Sequence, residues 1–447
     1  MATAATIHER PADVAPPRLT AAERAEVERL LAARTEHLSP AFRTSHQVLG
    51  RRSTIGCVAL EVTQRCNLDC TLCYLSEYSE SVADPPVAEL KRRLDNIKRL
   101  FGPGTNVQIT GGEPTLRSRA DLVEIVRHAR SIGLMPALFT NGIRMTRDLL
   151  VALRDVGLID VAMHVDMTQE RKGYASEIAL NEVREKYLSR ASGLGLALIF
   201  NTTVFDGNLH EIPELVRFFV RHAGPLGMAS FQLQAETGRG VFRARGHELT
   251  KEGVRAMIAE ACGTKLSWEN ILIGHPLCHD IAYTLVAGDT VVDLFDRREV
   301  VESWLRDFGT VEVDRTRPAE SAWNLARHMF VEKPGWFRTG APWLARIARK
   351  LVPAMVRSRG RAGKLSFFVQ NFQDATRLDA ERVHNCSFHV ATADGSVSMC
   401  EHNARRDDFI IPASLVRGRD ILPSRPPIAA VLAATRATPT STTDTGA

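Results

Sequence analysis

Between residues 57 and 262 the chain alternates six apolar runs with six amphipathic ones. CVALEVT precedes a helical pattern over 87–100, NVQIT one over 120–131, and MPALFT one over 147–156. DVAMHV precedes a helical pattern over 177–192, LALIFNTTV one over 212–222, and MASFQLQ one over 251–262. Strands separated by whole helices cannot pair through tight turns. Each connection crosses a sheet face, and right-handed crossovers make the strands parallel. The pattern predicts an α/β fold, a partial (β/α)6 barrel of the TIM type, with its chemistry on loops at the carboxyl ends of the strands.

On either side of this alternation the pattern changes. Residues 1–54 read as an Ala/Pro-rich tail followed by a helical stretch over 21–33, and 55–250 as the barrel. Residues 251–422 read as a cysteine-containing extension, and 423–447 as a Thr/Pro-rich disordered tail. A chain of 447 residues, 44% hydrophobic and 24% charged, buries an ordinary core. Its net charge of +5 is too diffuse to imply a nucleic-acid partner. Without an 18-residue apolar run or the order of a signal peptide, the sequence points to the cytoplasm. In that reducing setting eight cysteines speak for metal or catalysis rather than disulfides.

Three of those thiols, Cys66, Cys70 and Cys73 in QRCNLDCTLCY, fall just after the first strand. Gly111-Gly112-Glu113-Pro114 follows the second, Thr140-Asn141-Gly142 the third, and His164-Val165-Asp166 closes the fourth, so all would meet at one mouth. Three thiolates can hold three irons of a [4Fe-4S] cube and leave the fourth iron open for a ligand. A structural zinc site would want a fourth ligand nearby, and none has the spacing. Three unrelated buried thiols are the plain alternative. A lone GRG at 238–240 carries no weight as a phosphate loop.

Over about residues 55–240 the chain resembles the radical S-adenosylmethionine (SAM) enzymes, through Cys66, Cys70 and Cys73 followed by aromatic Tyr74, and through GGEP at 111–114. The resemblance implies a reduced cluster whose open iron chelates SAM and delivers one electron to cleave it, giving a 5′-deoxyadenosyl radical that abstracts hydrogen from substrate. The electron would come from a donor such as flavodoxin or ferredoxin. By motif position, Gly111 and Gly112 would let the backbone approach the methionine group, Glu113 would accept from its ammonium, and Pro114 would stiffen the turn. Asn141, Asp166 and Asn201 would contact methionine or ribose, and Tyr74 the adenine. The plain reading of each polar strand end is a cap or turn former. Gln232, Gln234 and Glu236 would face substrate.

Beyond the barrel, Cys262, Cys278, Cys386 and Cys400 match the ligand count of an auxiliary iron–sulfur cluster, the last two on a hairpin around Asp394-Gly395. Inert buried thiols are the alternative, and Cys57 reads as a strand core residue. His275, His279, His384, His389 and His402 crowd the same cysteines and leave a mixed Cys/His site open. GHPLC and NCSFHVATADGSVSMCEHN are similar to a radical SAM subgroup containing archaeal tetraether lipid synthase and pterin-precursor methylases, with Ser398 and Met399 departing from it.

Residues 338–364 hold eight basic side chains and no acidic one, with Trp343, Ile347 and Leu351 along one helical face. Such a helix can insert that face into an anionic membrane, giving peripheral contact at the inner membrane face, or pack it on the barrel. The sequence therefore favours a radical SAM enzyme that forms carbon–carbon bonds or transfers methyl groups on an apolar, small-molecule or lipid-like substrate. Modification of a peptide is the second reading. A non-enzymatic iron–sulfur sensor is the third.

Overall fold

The computed structural model describes residues 19–43, 55–242, 246–309, 311 and 318–410. The two terminal tails expected from composition lie outside these residues. A first helix, α1 (Ala21–His37), begins with a reciprocal cap in which Thr20 and Glu23 each satisfy the other's backbone amide. The alternation then follows as β1 (Cys57–Thr63), α2 (Val87–Phe101), β2 (Asn106–Gly111), α3 (Arg119–Ser131), β3 (Met135–Thr140) and α4 (Arg147–Asp155). It continues through β4 (Asp160–His164), α5 (Asn181–Ala191), β5 (Ala197–Val204), α6 (Ile212–Arg221), β6 (Leu226–Leu233) and α7 (Lys251–Cys262). Side-chain caps from Ser118, Thr146 and Thr250 start α3, α4 and α7.

The extension does not form a separate layer. It contributes β7 (His279–Ala287), β8 (Thr290–Asp293), α8 (Arg298–Phe308), α9 (Pro318–Arg327), α10 (Phe337–Arg357) and β9 (Gly363–Asn371). After these come α11 (Ala380–His384), β10 (Phe388–Ala391), β11 (Ser396–Ser398), α12 (Met399–Ala404) and α13 (Arg406–Ile410). Among the described residues one sheet runs in the order β11-β10-β1-β2-β3-β4-β5-β6-β9-β7-β8. Strand β9 pairs parallel with β6 and β10 pairs parallel with β1, so the six expected strands become eight parallel ones. The hairpin expected at 394–395 is present, β10 with β11.

The two added strands face each other across a seam that side chains close. The Phe388 ring at the start of β10 lies 6.0 Å from Phe368 on β9 and 5.2 Å from His279 on β7. The outer layer follows from helical spacing. On α6, Ile212, Leu215, Val216, Phe219 and their neighbours are buried, and Phe219 stacks 5.9 Å from Phe200 of β5. Each such side chain contributes about 2 kcal/mol through removal from water.

Helix α1 is docked rather than pendant. Arg34 donates to the Cys386 carbonyl at 2.7 Å, and Asn385 exchanges hydrogen bonds with Ser39 at 2.8 and 2.9 Å. A second, smaller core gathers Val292, Val300, Phe308, Trp336, Trp343 and Ile347 beneath α10. The Trp343 and Ile347 stripe that the sequence offered to a membrane is therefore buried against β8 and α8, and the Trp343 indole donates to the Leu294 carbonyl at 2.6 Å. Packing won at that face because six large side chains there cover one another.

Candidate active site

The loop after β1 has no regular secondary structure, and its shape is imposed by neighbouring loops. The Cys66 amide donates to Glu80 at 2.9 Å, Asn141 reaches Asn67 at 2.7 Å, and the Thr71 amide donates to the Thr168 carbonyl at 2.9 Å. From the loop after β6, the amides of Arg239 and Gly240 each donate at 3.0 Å to the carbonyls of Leu75 and Cys73. The GRG element that looked uninformative is thus a clasp. Gly238 sits at φ +53°, and a Cβ there would come within 2.2 Å of the Tyr74 backbone.

Cys66, Cys70 and Cys73 are half-buried on this loop and line one cavity together. Burial, with the Cys73 and Glu113 charges adding to it, pushes the Cys66 thiol up to about 11. Burial raises Cys70 further, with Cys73, Asp166 and Cys66 adding. Three thiols that sense one another's charge call for a cationic partner. Arg239 supplies part of it, hydrogen-bonding Cys73 and pairing with Asp69 at 2.7 Å. Among the described residues no three His, Cys, Asp or Glu side chains converge on a single metal ion. A cubane spreads its thiolates farther apart than one ion does. Three thiols lining one cavity are the donor set that a cluster with one open corner needs, whereas a closed zinc site needs a fourth ligand.

Gly111 and Gly112 pack against the end of β1. A Cβ on Gly111, at φ +124°, would stand 2.0 Å from the Thr63 carbonyl oxygen, and one on Gly112 2.1 Å from that of Arg65. Both glycines also line the cavity. Glu113 is fully buried, and its carboxylate accepts from the Thr115 amide at 3.0 Å, the Thr140 hydroxyl at 2.7 Å and the Asn141 amide at 2.7 Å. In this structure it staples the second loop to the third. Pro114 opens the short 3-10 turn that Glu113 caps.

The other expected contacts divide. Asn201 and Asn141 line the cavity, both buried. Asp166 is buried away from the lining. Its oxygens accept from the Thr168 amide at 2.9 Å and the Thr203 amide at 2.7 Å, and one lies 2.5 Å from His164 Nε2. Burial opposes its charge, but His164 and these donors hold it well below the usual carboxylate range. His164, named in the fourth-strand motif but given no role from the sequence, lines the cavity at the end of β4 after Asp160 and Ala162. Burial disfavours its charged form, yet Asp166 outweighs burial and raises its pKa above 6.5. A helix-cap signature, Asp two residues before Thr, masked the pairing.

Tyr74 lines the cavity, donates to the Gly111 carbonyl at 2.7 Å, and has the Arg406 guanidinium 4.7 Å from its ring centre. Arg406 is also paired with buried Glu61 of β1 at 2.8 Å. Burial would raise the Glu61 carboxyl, but Arg406, helped by His402 and Gln64, pulls it down to about 2. Neither member of this pair was legible from local sequence, being 345 residues apart.

Of the late cysteines, Cys278, Cys386 and Cys400 lie near enough for their charges to interact. Burial, then neighbouring Cys400 and Cys278, pushes the Cys386 thiol up to about 12, and Cys400 is raised by burial and by Cys278. Cys262 does not join them. It ends α7 inside the main core, where burial alone pushes it up to about 12. The thiol that senses Cys386 from the barrel side is Cys57. The surrounding histidines have packing partners: His275 lies against Phe42, His279 against Phe368 and Phe388, His384 against His37, His389 against Phe101, and His402 against Phe409.

The cavity, of about 600 Å³, runs inside the strand ring from the three thiols toward the seam. Its walls differ. Thr110, Asn141, His164, Asn201, Ser230 and Gln232 make a polar wall from β2 to β6 and their loops. Ile273, Ile281, Phe368, Phe372, Phe388 and Met399, interrupted by His279, Lys364 and Gln370, make a more apolar one at the seam, beside Cys278, Cys386 and Cys400.

The parallel-strand barrel brings three thiols and a cavity together at its strand ends, where barrels of this kind carry their chemistry. Residues 60–219 match the radical SAM superfamily, so the barrel carries a radical SAM domain. The chain is an enzyme of the class that works with a [4Fe-4S] cluster and SAM. Over 400 residues it is 24% identical to a 7,8-dihydro-6-hydroxymethylpterin dimethyltransferase of Methanocaldococcus jannaschii, covering 79% of this chain and 77% of that protein. A PqqA peptide cyclase of Bradyrhizobium diazoefficiens is 33% identical over 168 residues, which is 36% of this chain and 43% of the cyclase. Streptococcus suis SuiB bound to precursor peptide SuiA superposes with a TM-score of 0.36 at 16% identity, over 50% of this chain and 46% of that one.

Proposed function

We propose that the chain forms carbon–carbon bonds or transfers methyl groups at an apolar, lipid-like substrate. The observation that carries this reading is the division of the cavity into a polar wall below the cluster loop and an apolar wall at the seam. When bound, the cluster and SAM supply the electron transfer and the hydrogen abstraction. Cys66, Cys70 and Cys73 would hold the cluster. The Asn201 amide and the His164 imidazolium present a neutral donor–acceptor and a cation to the polar groups of SAM. Phe368, Phe372 and Phe388 exclude water from the reacting carbon and bury an aliphatic or flat apolar group. Cys278, Cys386 and Cys400 would hold an auxiliary iron–sulfur centre against that apolar wall, and a flavodoxin or ferredoxin would supply electrons.

Similarity to the pterin dimethyltransferase extends across most of the chain and so into the extension, whereas similarity to the peptide cyclases spans a stretch shorter than the barrel. That contrast favours methyl transfer or bond formation over peptide modification, the second reading. The test is anaerobic reconstitution with iron and sulfide, then dithionite, SAM carrying a deuterated methyl group, and an organic extract of cells. Deoxyadenosine formation together with label or new mass in an organic-soluble product supports the reading. Deoxyadenosine with modification only of an added peptide overturns it.

A further inference from the structure

Among the described residues, large apolar side chains exposed to solvent are concentrated in one stretch. Among the described residues there are eight, and six of them, Trp323, Phe330, Val331, Leu344, Val352 and Val356, fall between 323 and 356. Their exposures run from 39% at Leu344 to 74% at Val356. Helix α10 explains the concentration. Trp343 and Ile347 face the small core, while Ala341, Leu344, Ala348, Val352 and Val356, three or four residues apart, form a second, exposed apolar stripe turned away from it, with half-buried Phe337 at its start. At its amino-terminal end the stripe continues into the preceding turn, where the Phe330 ring lies 5.2 Å from Phe337 and Val331 is 69% exposed.

A basic strip accompanies this stripe. Arg338, Arg349, Lys350 and Arg357 are exposed, and among the described residues none has a carboxylate partner. Arg346, by contrast, is turned inward onto Asp296 at 2.9 Å and the Asp293 carbonyl at 3.1 Å. The helix thus has a buried apolar sector, an exposed apolar sector and a cationic sector whose charges meet no carboxylate among the described residues. No helix among the described residues is long and apolar enough to cross a membrane. Shallow burial of a few apolar side chains alongside exposed cations matches the boundary of an anionic bilayer, where acyl chains and phosphates lie within one helix width of each other.

We propose that the exposed face of α10, extended by Phe330 and Val331, docks this protein on an anionic phospholipid surface with the helix lying in the interface plane. The inserting stripe is the Leu344–Val352–Val356 side and not the Trp343–Ile347 side. This placement does not rest on the substrate assignment, since it concerns a surface remote in sequence from the cluster loop.

The test is flotation of the reconstituted full chain with unilamellar vesicles of equal phosphatidylglycerol and phosphatidylcholine, and with vesicles of phosphatidylcholine alone. Co-flotation with the anionic vesicles, falling at least tenfold between 50 and 500 mM salt as screening predicts, supports the proposal. So does loss of flotation in both V352D/V356D and R349E/K350E, with circular dichroism and cluster absorbance unchanged. Val352 and Val356 are exposed, so these changes leave the core intact, and R349E/K350E serves as an independent arm should the first pair fail to fold. Three outcomes overturn it. Wild type can stay with the unbound fraction at 50 mM salt. It can float equally with neutral vesicles. Or V352D/V356D can convert a dimer to a monomer in light scattering while vesicle binding is absent, which would make a second copy of the chain the occupant.

Discussion

The guanidinium of Arg406 sits 4.7 Å from the centre of the Tyr74 ring while two of its nitrogens hold the Glu61 carboxylate at 3.0 and 2.8 Å. Through this one side chain the end of the extension covers the aromatic residue of the cluster loop and is locked to the first barrel strand. Gln64 and Asn403 each accept from Arg406 at 3.0 Å, so most of its donors are satisfied by protein.

Breaking that lock is expected to be costly. Glu61→Gln leaves a buried guanidinium without a counter-charge, which costs about 3 to 5 kcal/mol. The pair also sets an acid limit. Because the folded carboxyl is depressed to about 2 from 4.5, its contribution is present above 4.5 and is lost as pH falls toward 2. Urea titrations at pH 7 and pH 3 should show wild type losing stability on acidification and Glu61→Gln losing less. Equal losses would refute the assignment.

The His164–Asp166 pair predicts the opposite pH dependence at the cavity. A raised imidazole pKa means that its charge, and the stability it brings, are complete below 6.5 and decline as pH rises through the folded value. SAM binding followed by calorimetry should weaken above that value in wild type. In Asp166→Asn the break should move toward 6.5, and in His164→Gln it should vanish, with binding weakened about tenfold through loss of one charged hydrogen bond.

Arg239 beside Cys73 places positive charge at the cluster loop. Arg239→Leu is expected to leave iron content unchanged while lowering the cluster's midpoint potential by the equivalent of about 1 kcal/mol, since a nearby cation favours the reduced, more negative state. Redox titration followed by electron paramagnetic resonance would check this. An unchanged potential would mean that Arg239 acts only as a clasp.

Cysteine replacements separate ligands from packing. Cys70→Ala should abolish deoxyadenosine formation in a protein that remains folded. Replacing Cys386 and Cys400 together should reduce iron from about eight to about four per chain and spare uncoupled SAM cleavage. Cys262→Ala should keep full iron content and cost only about 1 to 2 kcal/mol in stability, as expected of a small apolar core side chain. Loss of iron in that variant would return Cys262 to the ligand set.

Local patterns were legible because their causes are local. A strand and its following helix announce themselves by periods of two and 3.6 residues, so α2, α3, α4 and α7 lie within about a residue or two of expectation. Cys66, Cys70 and Cys73 share one short loop, and the second motif is four consecutive residues. The sequence by itself therefore determined the parallel barrel, the side of it that carries chemistry, and the three thiols. Pairings over long separations left no periodic trace. Tertiary structure alone decided that β9 and β10 would extend the barrel at opposite edges, that Cys386 would lie within electrostatic reach of Cys278 and Cys400 while Cys262 is buried in the main core, and that Arg406 would find Glu61. It also chose which of two apolar stripes on α10 was buried, because both have helical spacing and only the position of the β7–β8 hairpin and α8 distinguishes them.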